Sequence, residues 1–523
     1  MTHITRSFQR SLRFTLLAAL VLLLSATIRR SSSVVVAAPA GLSAADWQAI
    51  QAQLPFGSTA SITGIMGQQA YVKAANTGTG DYFGFSVAVD GDTVVVGAPF
   101  EDSGTSGVNT IPNEAASESG AAYVFVRSGT IWTQQAYLKA ANTGAGDSFG
   151  LSVAVDGDIV VIGGLYEDSS TTGINSMPNE AALDAGAAYV FGRTGTTWTQ
   201  QAYLKASNPG VNDNFGLSVG VQGNTVVIGA AFEDSSTSGV NTVSNELALD
   251  AGAAYVFGRT GTTWTQQAYL KASNPQSDDQ FGWSVAMDND TVVIGARNED
   301  SSTSGINTTP DEAAESAGAV YVFRRDVAMW TQQAYLKASN TETGDQFGFS
   351  VAVAGETVVV GANLKGAADT GAAYVFIHNG ITWMEQAYLK ASNPGAFDNF
   401  GESVGIYGDT VAVGAWNEDS SSSGVNTLPN ESAPNSGAAY VFGRNGITWT
   451  QQSYLKASNS GTGDSFGWRV AVGGDTIVVG AQAEDSGTSG INTPPNEAVS
   501  DAGAMYVFSS KFSNALWLPL ILK

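Results

Sequence analysis

Six stretches of this chain crowd oxygen donors together in nearly the same order. The first holds Glu101, Asp102, Asn109, Asn113 and Glu114. The second holds Glu167, Asp168, Asn175, Asn179 and Glu180, and the last holds Glu484, Asp485, Asn492, Asn496 and Glu497. Carboxylate and amide oxygens with no histidine or cysteine among them suit calcium, a hard cation that takes about six to eight oxygens in irregular geometry, and do not suit zinc. The competing reading is a loop closed on itself, with Asn and Ser bonded to their own backbone.

Two other series of ionisable groups recur. Asp81, Asp147, Asp213, Asp279, Asp345, Asp398 and Asp464 each stand two residues before a Phe-Gly pair. Lys73, Lys139, Lys205, Lys271, Lys337, Lys390 and Lys456 recur with the same rhythm. Catalysis needs one asymmetric site, and groups repeated this evenly read as structural: Asp fixing a turn, Lys guarding an edge strand. Trp132, Trp198, Trp264, Trp330, Trp383 and Trp449 read as packing residues, because tryptophan is mostly buried. There is no cysteine, and the two histidines are His3 and His378. That excludes thiol nucleophiles and Cys-ligated metals and leaves no material for a Ser-His-Asp triad. No unique pair of carboxylates stands out to serve as the acid and base of a glycosidase. The reading is therefore not an enzyme.

The elements that carry these groups follow from the repeat. Phe-Gly recurs at Phe83, Phe149, Phe215, Phe281, Phe347, Phe400 and Phe466, spaced by 66 residues except for one gap of 53. In the second copy, residues 149–164 are two alternating runs rich in valine and isoleucine around Asp156-Gly157, the pattern of a hairpin whose turn needs positive φ. A third strand follows at 186–193 and a fourth at 198–206, giving strands A to D in meander order. Seven four-stranded meanders predict an all-β, seven-bladed β-propeller. The last copy stops after strand C, and an orphan strand D, from Gln68, precedes the first Phe-Gly. The orphan is expected to complete the last blade and close the ring, leaving no open strand edge there. The acidic stretches are then the long B–C loops, which share one face with the D–A turns. The fifth copy has only residues 363–370 there, which accounts for the short spacing.

Phe-Gly at the start of strand A, with Gly97-Ala98-Pro99 after strand B, resembles the FG-GAP repeat family, which includes the propeller head of integrin α subunits and secreted bacterial proteins. The other copies match in part, as at Gly229-Ala230-Ala231 and Gly414-Ala415-Trp416, and Gly163-Gly164-Leu165 departs most. The resemblance implies the propeller and a ligand face on the B–C side. The integrin-like calcium loop between strands A and B is missing, because a two-residue turn cannot wrap a cation.

The layout expected is a secretory signal at 1–40, a short helix and linker at 41–67, the propeller at 68–510 and an apolar tail at 511–523. The signal rests on Arg6, Arg10 and Arg13 before an apolar run from Phe14 to Ala26, with Ala38-Pro39-Ala40 as the cut. That run is shorter than the roughly 20 residues a membrane span needs. An uncleaved anchor is the other reading, prompted by Arg29-Arg30. The helix would be capped by Ser43. The net charge of −24 repels nucleic acid and anionic lipid. The chain thus reads as a secreted or cell-surface monomer that binds an extracellular protein or glycan, with calcium as the one cofactor considered. The alternatives are a glycan-processing enzyme and a purely structural surface component.

Overall fold

In the computed structural model, which describes residues 65–327 and 329–511, seven antiparallel sheets succeed one another along the chain. Every described residue lies in the unit from Thr59 to Lys523. In the second sheet strands A to D are Phe149–Asp156, Ile159–Gly164, Ala187–Thr194 and Thr197–Leu204, hydrogen-bonded in that order. The A strands of successive blades touch all round the ring, the seventh meeting the first. The signal segment, the helix expected at 42–54 and the tail from residue 512 lie outside the described residues. Among the described residues no helix is long and apolar enough to cross a membrane.

Strand B reads as an unbroken apolar run because both of its faces are buried between blades. The core is accordingly a set of layers between neighbouring blades. In one layer Val161, Val190 and Leu204 of blade two pack against Val226, Ile228, Tyr255 and Phe257 of blade three. Phe215, at the Phe-Gly of blade three, meets Tyr255 edge-on at 5.3 Å. The glycine of that pair has a backbone reason to be there. Gly216 has φ of 104°, and a Cβ on it would lie 2.3 Å from the Ala187 carbonyl oxygen of the preceding blade. A Cβ on Gly163, in the Gly-Gly-Leu variant, would meet the Gly216 oxygen at 2.0 Å. Both halves of the sequence motif are thus places where backbones of adjacent blades touch, which only glycine allows.

The A–B hairpins differ by one residue from the sequence reading. Asp156 pairs with Ile159, so the turn is Gly157-Asp158 and not Asp156-Gly157. The residue at positive φ is the expected one, Gly157 at 56° and Asn289 at 52° in its blade. Strand A gains the aspartate because its side chain has work in the next blade along: Asp90 Oδ2 accepts the Gly157 amide at 2.8 Å. The ring closes as expected. Ile65–Lys73 pairs antiparallel with Ala504–Lys511, Tyr71 opposite Tyr506, and supplies strand D of the seventh blade.

The long B–C loops add a piece the sequence did not announce. Gly239–Val240, Gly424–Val425 and Gly490–Ile491 each form a two-residue fifth strand on the outer edge of strand D. Val108, Ile174 and Ile306 make the same contact as single bridges. In six blades the loop therefore folds back and covers the edge.

Candidate functional site

Beneath that cover lies a buried ion pair. In blade two, Lys205 Nζ on strand D donates to Glu167 Oε2 at 2.9 Å and to the Gly186 oxygen at 2.5 Å. Glu167 Oε1 accepts from the Tyr203 hydroxyl at 2.7 Å and from Asn142 Nδ2 of the preceding blade at 3.1 Å. Ser169 N completes the set on Oε2. The same pair recurs as Lys73–Glu484, Lys139–Glu101, Lys271–Glu233, Lys337–Glu299 and Lys456–Glu418, with almost no exposed side-chain surface. The strand-D lysine is thus not an edge guard. The loop takes over that task, and with the edge covered the ammonium is buried and needs a carboxylate.

The residues expected to hold calcium are placed as follows. In the first loop Glu101 receives Tyr137 and Lys139. Asp102 Oδ1 accepts the Glu118 amide at 2.8 Å, Asn109 Oδ1 the Tyr137 amide at 2.9 Å, and Asn113 Oδ1 the Gly104 amide at 2.9 Å. In the second loop Asp168 Oδ1 accepts the Asp184 amide, Asn175 Oδ1 the Tyr203 amide and Asn179 Oδ1 the Ser170 amide. Glu114 and Glu180 are exposed, at φ of 50° and 48°. Four of the five groups in each loop are therefore engaged in closing it. Among the described residues no set of three or more Asp, Glu and His side chains could hold a metal ion.

The aspartate before Phe-Gly does fix its turn: Asp147 Oδ2 accepts the Gly144 amide at 2.7 Å. Burial, helped by the nearby Glu167, Glu180 and Asp168, pushes its carboxyl up to about 7. The repeated tryptophans are buried, and five of the six have an arginine over the ring, as Arg193 lies over Trp198, while Trp383 has His378 beside it. On the face of the A–B turns an open polar cavity of about 490 Å³ is lined by Arg259, Arg325, Gln222 and Asp290.

What is not repeated gathers at the ring's axis, on the B–C face, at the start of strand A and the end of strand B. The residue after Phe-Gly is Phe85, Leu151, Leu217, Trp283, Phe349, Glu402 and Trp468 in turn. Six of these seven are apolar or aromatic, and four of them meet in pairs: Phe85 lies 5.6 Å from Trp468, and Trp283 lies 5.8 Å from Phe349. Trp416 adds an edge contact to Trp468 at 5.3 Å. Arg297 sits over the Trp283 ring at 3.1 Å. Glu402 is the exception, a buried carboxyl accepting from Asn363 Nδ2 at 3.0 Å and facing Arg469 at 3.4 Å. Burial raises its pKa, and Arg469 opposes the rise. Asn363 Oδ1, on the residue bonded to Glu402, and the Trp468 Nε1 and Gln482 Oε1 atoms of blade seven are buried with no hydrogen-bond partner among the described residues. Sequence reasoning missed this carboxylate by looking for repeated groups. The signal was its exchange for an aromatic or aliphatic residue in an otherwise apolar column.

These features define the class, a seven-bladed propeller of Phe-Gly repeats with one asymmetric axial mouth. The FG-GAP repeat family matches residues 66–125, 132–191, 198–257, 264–323, 330–376, 383–442 and 449–508. The chain belongs to that family. No curated protein matches it. Among the solved structures it is similar to are those of putative 6-phosphogluconolactonases from Bacteroides uniformis and Bacteroides fragilis. Their identities are 11% and 10%, each has a TM-score of 0.42, and the matches span 72% of this chain and 86% and 85% of theirs. A likeness that slight carries no argument.

Proposed function

We propose that the protein is a secreted, non-enzymatic binding propeller that takes an extracellular glycan or protein ligand at the axial mouth of its B–C face. The observation that carries this is the division of labour among polar groups. The repeated lysines and loop glutamates are consumed in buried pairs within six blades, whereas the mouth combines half-buried aromatic rings with Arg297, Arg469 and Glu402. Aromatic faces with a few convergent polar groups are what a ligand site needs. Secretion rests on the N-terminal pattern of residues 1–40.

Glu402 also favours a second reading, a glycan-processing enzyme with a buried carboxyl as general acid. That reading needs a second carboxylate about 5–9.5 Å away. The groups found acting on Glu402 are Arg469, Asn363 and Arg297, which suit holding a ligand more than transferring a proton to it. The test is a glycan array and a panel of extracellular proteins, probed with the full chain and with a variant carrying Trp283→Ala, Arg297→Ala and Glu402→Gln. Binding to the wild type that the variant loses, without turnover of any glycan, is the expected result. Sugar release abolished by Glu402→Gln alone would replace binding with catalysis.

A further inference from the structure

Blade five breaks the pattern of the other six. Its B–C connection is cut to residues 363–370, and Lys365 stands where the others have the loop glutamate. The groups that receive that glutamate elsewhere are still present. Lys390 Nζ donates to Thr370 Oγ1 at 2.7 Å and to the Gly371 oxygen, as Lys139 does to Ser119 and Gly120. The third bond of Lys139, to Glu101 Oε2, has no counterpart on Lys390. Tyr388 occupies the place of Tyr137, with no glutamate before its hydroxyl, and is 45% exposed where Tyr137 is 5% exposed. Lys365 does not take the glutamate's place, since its ammonium is held by Glu342 at 2.7 Å and Asp345 at 2.9 Å.

The backbone tells the same story. In blade one Lys139 N donates to the Gly107 oxygen and Asn109 N to the Tyr137 oxygen, so the loop runs along strand D as an extra strand. Among the described residues, Trp383–Leu389 of blade five pairs with Ala372–His378 alone, and no strand lies beside its outer edge. An open strand edge is a template for a further strand.

We propose that blade five receives an extended acidic peptide of a partner protein, which pairs along the edge at Tyr388–Lys390 and sets a glutamate carboxylate on the Lys390 ammonium and the Tyr388 hydroxyl. The molecule contains six copies of this arrangement. Each covering loop reads Glu-Asp-Ser, then three small residues, then Gly, Val or Ile, and Asn, as in residues 233–241. The glutamate reaches the lysine and the Gly-Val or Gly-Ile pair lies on strand D. Burial and the neighbouring Lys365 both lower the pKa of Lys390, and a carboxylate set on its ammonium would counter both effects, as Glu101 does for Lys139. The chain's overall acidity acts over longer distances and is screened beyond about 8 Å at physiological salt. This site goes beyond the axial mouth and stands or falls separately from it.

The probe is a fluorescent peptide with the sequence of residues 233–242, titrated into the full chain at physiological salt and followed by anisotropy. Saturable binding is expected. It should weaken at least tenfold when the peptide's glutamate is replaced by glutamine, and equally in Lys390→Met, because a charge-assisted bond is lost. Lys390→Met orphans no buried acid, so its melting temperature should stay near that of the wild type. No saturation at millimolar peptide, or equal affinity for the glutamine peptide, overturns the proposal. So does a uronic-acid oligosaccharide that binds through Lys390 more tightly than the peptide, which would make the site a glycan site.

Discussion

A lysine cut off from water keeps its charge only beside a carboxylate, and Lys205 with Glu167 shows what that requires: three further donors on the glutamate and a carbonyl on the lysine. The aspartates nearby lack such a cation and respond by holding their protons. Asp81, Asp147, Asp213 and Asp464 are pushed up to about 7, Asp279 to about 8 and Asp398 to about 6, burial being the main cause. An unfolded aspartate titrates near about 3.9. Between the two values the fold keeps a proton that the unfolded chain has released, so this contribution to stability is present at low pH and lost as pH rises through about 7. The melting temperature should therefore rise as pH is lowered from 8 to 5.5. Asp147→Asn, which keeps an oxygen for the Gly144 amide, should flatten the curve. A melting temperature that falls throughout that interval would mean these aspartates are ionised in the fold. The aspartates were legible in the sequence because they recur. Glu402 and Lys365 were not, since each is a single exchange within a repeated column, and its meaning depends on neighbours from other blades.

Among the elements, strands were easier to read than loops. Valine- and isoleucine-rich runs and the glycine at the turn, or Asn289 in one blade, marked every A–B hairpin, but not its register. The register depends on Asp90 reaching the next blade's turn, a contact between residues 67 positions apart. The B–C loops showed their oxygen donors and hid what those donors do. Hydrogen bonds to amides 9 to 28 residues away cannot be told by composition from metal ligands. The Oδ1 atoms of Asp102, Asn109 and Asn113 already serve the Glu118, Tyr137 and Gly104 amides, so turning them toward a calcium ion would bend or break bonds that close the loop. The loops should therefore respond to calcium only as to any divalent ion. Thermal melts in millimolar calcium and in millimolar magnesium at matched ionic strength are expected to coincide. A rise specific to calcium that is lost in a Glu167→Gln, Asp168→Asn, Glu180→Gln variant would restore the loops as cation sites, with a gain of about 2.7 kcal/mol per site at a hundredfold excess over Kd.

A ring of blades that each bury both faces against neighbours has no stable partial form, and here its integrity hangs on one strand. Ile65–Lys73 gives the seventh blade its strand D, with Lys73 buried on Glu484 at 2.6 Å and Tyr71 bonded to the same carboxylate. Three residues on, Asn76 Nδ2 donates to Glu101 of the first blade at 2.9 Å, and Asn76 Oδ1 accepts the Tyr123 hydroxyl at 2.8 Å. This short segment thus joins the two ends of the ring through both adjoining blades. Without it Glu484 becomes a buried carboxylate with no cation, a loss of about 3–5 kcal/mol for one removed partner. The edge of Ala504–Lys511 also opens to other chains. A single domain is stable by only about 5–15 kcal/mol, so the two defects together should unfold the ring or drive it to aggregate. A chain starting at residue 65 should remain soluble and melt in one transition, whereas one starting at residue 79 should not yield a soluble monomer. A synthetic peptide of residues 65–78, added during refolding of the shorter chain, should restore solubility by supplying the missing strand. The same peptide with Lys73→Met should rescue less, because it leaves Glu484 unpaired. A residue-79 chain that is monomeric and as heat-stable as the longer one would show that the ring closes without its N-terminal strand.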